Sequence, residues 1–417
     1  MQKQLILLFI VLVGIVSISC NRRAAHHGKA HDESAMEKQD KFSPEMAVNQ
    51  LAMDILKQHP ANGENLVFSP FSISTALAMT YLGAREETKE EMARILYFTP
   101  DHEVLRMHFK AYIQRLKSLD TDSVSLNVAN SLWAQIGYHF LESYFDITGK
   151  AFDAPVKQLD FVTQREQARL KINQWVLEQT RDMIRDLIAP DVLTEDTRLV
   201  LVNAIYFHGL WAQAFDPEQT FEDVFQLNED HQTMVNYMFR EGNVRYAGND
   251  SLQVIDIPYA GGEFSMTIIL PAEDLTLADL EKKLSTETLE IVYDQMEELI
   301  VRMYIPSFEA ETKINLEETL MQMGLKLPFD KRADFSGMTG KKDLKIDKVI
   351  HQARIKVEET GTEAAAATAV VVIRKTAIDP DQPVIFRANR PYLFFIRENA
   401  GQSILFSGRV MDPGTGQ

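Results

Sequence analysis

Two spacings of apolar residues alternate along this chain and divide it into helix-like and strand-like stretches. Ser43-Pro44-Glu45 has the form of a helix start: a capping hydroxyl, a proline in the first turn, where no N–H is needed, and an acidic residue near the positive helix end. Val48, Leu51 and Ile55 then recur on one helical face. Residues 72–82 and 86–96 repeat that spacing, and it returns at Ile172-Asn173-Gln174-Trp175-Val176. Strands are predicted at residues 126–133, at the long apolar run 199–207, and at 252–258, 264–270, 301–305, 350–358 and 404–410. Helices and strands intermixed in this way predict a mixed α+β fold.

One stretch satisfies neither spacing. Residues 358–376 begin with a turn-forming glycine, Gly361, run through Ala364, Ala365, Ala366 and Ala367, become β-branched at 370–373, and end on Arg374 and Lys375. Alanines favour a helix, which Thr362 would cap. If the stretch is extended instead, side chains alternate between faces, so Glu363 and Ala365 point to solvent while Thr362, Ala364, Ala366 and Thr368 point to a core. The residues alone leave both conformations open.

The chain has 417 residues, enough for a large core and, by length alone, for two or three domains, but no internal repeat or long mid-chain linker marks a boundary. Apolar content of 45% and charged content of 25% are those of a globular protein. A formal charge of −17 argues against a nucleic-acid surface, which needs dense positive charge to displace counterions, and points to protein partners. Residues 1–19 carry Lys3, an apolar run and small residues before Cys20, the pattern of a secretory signal. Ser17-Ile18-Ser19-Cys20 resembles a relaxed bacterial lipobox, with Ser17 where leucine is usual; that resemblance implies lipidation of Cys20 and anchoring at the cell envelope or surface, and otherwise an extracellular protein. Cys20 is the single cysteine, so no intramolecular disulfide forms. Residues 20–41 read as a polar tether, 42–412 as the folded domain and 413–417 as a tail; His26, His27 and His31 in the tether are assigned no metal.

Enzyme chemistry is not evident. Ser69 and Ser72 lack a Gly-x-Ser-x-Gly elbow and read as core hydroxyls needing partners. Neither nucleotide-type glycine loop nor Cys/His metal spacing occurs, so no cofactor and no metal are expected.

Four segments, in order, resemble one family. Asn65-Leu66-Val67-Phe68-Ser69-Pro70-Phe71-Ser72-Ile73-Ser74 is similar to the first shutter segment of the serpins, Val202-Asn203-Ala204-Ile205-Tyr206-Phe207-His208-Gly209-Leu210-Trp211 to their breach strand, and Asn389-Arg390-Pro391-Tyr392-Leu393-Phe394-Phe395-Ile396 to their C-terminal signature. Residues 359–368 resemble the hinge of inhibitory serpins: Glu359, Gly361, Thr362, Glu363, Ala364, Ala365, Ala366, Ala367 and Thr368. The resemblance implies a monomeric α+β domain with three β-sheets, a rim of eight or nine helices and an exposed reactive-centre loop, acting as a suicide inhibitor that forms a covalent acyl-enzyme with its target protease. It also implies a shutter of Ser69, Ser72, Asn203 and His351 and a breach tryptophan at Trp211. The family's spacing from Glu359 puts the reactive bond at Lys375-Thr376, with Arg374 the alternative specificity residue; counting back from Asn389-Arg390-Pro391 puts it nearer Ala377, so the loop is slightly long. A basic specificity residue suits trypsin-like proteases and leaves cysteine proteases that cleave after basic residues open, while residues 370–373 leave elastase-like and subtilisin-like proteases open. A non-inhibitory serpin acting as a binding or chaperone-like surface protein is the alternative, against which the small-residue hinge counts.

Overall fold

In the computed structural model, which describes residues 42–137, 139–362 and 383–414, the helix Pro44–Gln58 begins where the sequence predicts. Its Ser43 cap accepts a hydrogen bond from the amide of Met46. Val48, Leu51 and Ile55 are fully buried on its inner face. The helical spacing at 72–82 belongs to the helix Pro70–Gly83, that at 86–96 to Glu86–Ile95, and that at 172–176 to Arg165–Gln179. Helices His102–Ser118 and Glu142–Phe152 had no sequence expectation. Among the described residues there are ten α-helices against the eight or nine expected, the tenth being the single turn Ser336–Thr339.

With strands numbered in chain order, the smaller sheet holds β2 (Val124–Gln135), β3 (Val156–Leu159), β4 (Leu199–Leu210), β10 (Phe308–Asn315), β11 (Lys348–Glu358) and the two-residue β12 (Gly361–Thr362). Its order is β10-β11-β12-β4-β2-β3, and β11 also pairs directly with β4. The larger sheet runs β1 (Leu66–Phe68), β15 (Ser403–Val410), β14 (Tyr392–Glu398), β8 (Phe264–Pro271), β7 (Leu252–Pro258), β6 (Gln232–Gly248), β9 (Glu297–Pro306), β13 (Val384–Arg387), with β5 (Phe221–Gln226) on β6. By hydrogen bonding the strands thus join into two sheets. The long β6 pairs with β5 and β9 along much of its length and with β7 at its end, merging two of the three sheets that the resemblance counts separately.

Alternation along β4 decides where its chemistry lies. Leu199, Leu201, Ile205 and Phe207 enter the main core, against which the wholly buried helix Pro70–Gly83 also packs, whereas Val200, Val202 and Ala204 enter a second core with Ala168, Ile172 and Val176 of the helix Arg165–Gln179. In β11, Val349, Ala353, Ile355 and Val357 enter the main core and Ile350 enters the second. Asn203 and His351 have the parity of the main-core set. Two polar residues therefore face the helix that begins at Ser69 and Pro70.

Candidate functional site

The seam between β4 and β11 has two different ends. From Lys348 opposite Val200 to Arg354 opposite Tyr206 the two strands pair directly and in parallel. Further along, β12 lies between them: Thr362 and Gly361 pair with Val357 and Glu358 on one side and with Gly209 and Leu210 on the other. The chain leaves β11, turns at Glu359 and Thr360, and re-enters the sheet as an antiparallel wedge. Only glycine fits at 361, because a Cβ there would stand 2.1 Å from the carbonyl oxygen of Gly209.

Side chains hold this wedge from one side. The indole N–H of Trp211 donates to the carbonyl of Glu358 at 2.9 Å, while the amides of Trp211 and Phe215 donate to Thr360 at 3.1 Å and Glu359 at 2.8 Å. The Thr220 hydroxyl donates to the Glu359 carboxylate at 2.7 Å. Trp211 stacks on Tyr259 with ring centres 4.6 Å apart, and the Tyr259 hydroxyl lies 2.7 Å from that of Thr362, which is fully buried. Burial pushes the Tyr259 phenol well above its ordinary pKa, so it keeps its proton for this contact.

A polar cluster lies under the directly paired end. Ser69 caps the helix Pro70–Gly83: its hydroxyl accepts from the amide of Ser72 at 3.1 Å and donates to the carbonyl of Leu405 at 2.6 Å. The amide of Ser69 donates to His351 Nε2 at 3.0 Å. Nε2 is therefore the acceptor, and Nδ1 carries the proton and donates to Asn203 Oδ1. Asn203 Nδ2 donates to Asn130 Oδ1 and the Ser72 hydroxyl, and Ser72 donates to Asn130 at 3.0 Å. Complete burial lowers the His351 pKa to about 3, so the imidazole is neutral. The cluster joins β2, β4, β11 and the helix, and both strands of the seam contribute to it.

A fold with this seam has close relatives. The family Serpin (serine protease inhibitor) matches residues 46–413. The chain belongs to the serpin family. It is 38% identical over 370 residues to an uncharacterized serpin-like protein of Thermococcus kodakarensis, covering 89% of this chain and 86% of that one. It is also 38% identical to the leukocyte elastase inhibitor of Xenopus tropicalis, covering 86% of this chain and 95% of that one. Human thyroxine-binding globulin complexed with thyroxine has the same fold, with a TM-score of 0.81, 26% identity and coverage of 89% of this chain and 98% of that one. Serpins generally act on target proteases, and this chain has their α+β fold.

Of the site residues expected in this serpin, the structure brings Ser69, Ser72, Asn203 and His351 together in one buried cluster, and it gathers Glu359, Gly361, Thr362 and Trp211 at the wedge. Glu363, Ala364, Ala365, Ala366, Ala367, Thr368, Arg374, Lys375, Thr376 and Cys20 lie outside the described residues. Two site residues had no sequence expectation. Asn130 carried a usable signal, a polar residue on the apolar parity of Leu126, Val128 and Leu132. Tyr259 carried none, because its role exists only once β7 ends beside Trp211. Among the described residues no group of three or more His, Cys, Asp or Glu side chains converges to hold a metal.

Proposed function

We propose that this serpin is a suicide inhibitor of trypsin-like serine proteases that works by inserting its cleaved loop between β4 and β11. The observation that carries this reading is the wedge Gly361–Thr362, a first strand segment hydrogen-bonded to both sides of the seam. Strand addition to a sheet is a general recognition mode, of which serpin loop insertion is an established instance. In the proposed reaction the protease serine oxygen attacks the carbonyl carbon of Lys375. The Lys375-Thr376 bond breaks, the new amine of Thr376 takes the proton, and Lys375 is left as an ester on the enzyme. Residues from Glu363 onward then extend the wedge and carry the attached protease away before water cleaves the ester. Arg374 is the alternative specificity residue, and either cation suits a pocket with a carboxylate at its base.

Cys20, lipidated after removal of residues 1–19, would hold the inhibitor at the cell envelope through the tether. Thyroxine-binding globulin, a structural neighbour complexed with a small ligand, favours the second reading, a non-inhibitory binding protein. Incubation with a panel of serine and cysteine proteases separates the two. The inhibitory reading expects SDS-resistant complexes with trypsin and a released peptide beginning at Thr376, both abolished by Lys375→Glu. Clean cleavage without complexes across the panel would overturn it.

A further inference from the structure

The helix Arg165–Gln179 lies on the face of the smaller sheet opposite the polar cluster, and where it passes β3 there is an open cleft of about 810 Å³. That volume is within the roughly 300–1,000 Å³ range of small-molecule sites. Its walls are Trp133, Leu159, Leu170 and Trp175, with Lys157 and Lys171 among them. The Lys157 ammonium lies 5.1 Å from the ring centre of Trp133 and 5.2 Å from that of Trp175, two indoles that meet edge to face. Neither lysine has a carboxylate within 4.0 Å among the described residues. Glu178, the acidic residue of the lining, already accepts a hydrogen bond from Gln174 at 2.9 Å. Leu170 is 51% exposed, an apolar side chain left to solvent beside two cations. On a chain with a formal charge of −17, the cleft thus combines apolar walls with locally positive charge.

We propose that this cleft binds an organic anion: an aromatic or aliphatic body lies against Trp133, Trp175 and Leu170, and its carboxylate or sulfonate meets Lys157 and Lys171. The site is not part of the seam, but the helix that walls it lies in the core beneath the seam's other face. Ala168, Ile172 and Val176 of that helix pack with Val200 and Val202 of β4 and Ile350 of β11, so the helix bridges the two strands that insertion must separate. A ligand fixing the helix to β2 and β3 slows that separation. This consequence rests on the inhibitory reading above; the site itself does not.

The test titrates the native protein with 1-anilinonaphthalene-8-sulfonate and follows probe emission excited through tryptophan. Saturable binding at one site is expected, weakened at least tenfold by Lys157→Gln combined with Lys171→Gln and unchanged by the remote Lys331→Gln. Leu170→Glu, a change at an exposed position, should weaken it by a similar factor with the thermal midpoint intact. Non-saturable binding, or equal affinity in the double variant and Leu170→Glu, overturns the site. Competition by decanoate and by 2-naphthoate reports whether the aliphatic or the aromatic anion is accepted; displacement by neither also overturns it. With the site saturated, trypsin should yield less covalent complex and more cleaved inhibitor. An unchanged ratio with binding intact overturns the coupling, whereas an absence of complexes even without ligand overturns the inhibitory reading and leaves the site standing.

Discussion

At one end of the seam β4 and β11 meet over seven consecutive register pairs; at the other the same two strands stand one strand-width apart, with Gly361 and Thr362 between them. The closed end is held by ladder hydrogen bonds above a buried cluster in which His351, Asn203, Ser72 and Asn130 partner one another. The open end is held by Trp211 and Tyr259 against a turn. Backbone pairing is conserved at both ends, because β12 supplies the bonds that β4 and β11 lose to each other. Widening the sheet at the open end therefore costs little hydrogen bonding. At the closed end it also requires buried polar side chains to part, and each one left unpaired costs about 1–3 kcal/mol. The sheet is easy to enter and hard to traverse.

The largest expected effect comes from breaking the open end. Thr362→Arg places a cation at a fully buried position with only a hydroxyl for company, a cost of several kcal/mol, and expels the wedge. Complex formation with trypsin should fall to near zero while cleavage after Lys375 continues, so that the variant behaves as a substrate. Wild-type yields of SDS-resistant complex would show that the wedge does not begin insertion.

Acid acts on the closed end. The His351 pKa of about 3 in the folded protein lies below the 6.5 of a free imidazole, so as pH falls the unfolded chain takes up the proton first. The stabilisation is complete above about pH 6.5 and is lost progressively down to about pH 3, amounting to roughly 4–5 kcal/mol over that window at 1.36 kcal/mol per pH unit. Urea midpoints measured against pH should fall across this range in the wild type and fall less in His351→Gln. Identical slopes would remove His351 from the account.

A smaller effect is expected from Asn203→Ala. It removes the partner of the His351 Nδ1 proton and two donated bonds, at about 2–3 kcal/mol. The wedge should persist, read as unchanged environment of Trp211 by fluorescence. A Trp211 shift equal to that of Thr362→Arg would mean that the two ends are not separable.

Much of this was legible in the chain. The main strands and the first helices follow from spacing, whereas Asn203 and His351 were marked by the serpin resemblance; their burial on the main-core parity of β4 and β11 emerged with the structure. The segment 358–376 could not be read this way, because alanines with a glycine pivot satisfy helix and strand alike. Its first residues are decided by neighbours remote in sequence, Gly209 and Tyr259, which accept Gly361 and Thr362 into the sheet. The merging of two sheets through β6 was likewise hidden, since strand spacing says nothing about which strands share a partner.

The wedge also sets a reading frame. Thr362 stands opposite Gly209 on β4 and Val357 on β11, and an antiparallel strand advances one residue for each residue its neighbours step back. Six steps lead to Thr368 in the loop, to Asn203 in β4 and to His351 in β11. A loop that follows the wedge in frame delivers the Thr368 hydroxyl between the two residues whose contact it must break, offering each a new partner. One inserted residue would turn every following side chain to the wrong face. Deleting two residues from the wild-type loop would keep the faces but bring Val370, not Thr368, to that address. Under the proposed insertion mechanism, the distance from Thr362 to Thr368, counted in residues, matters as much as the residues themselves.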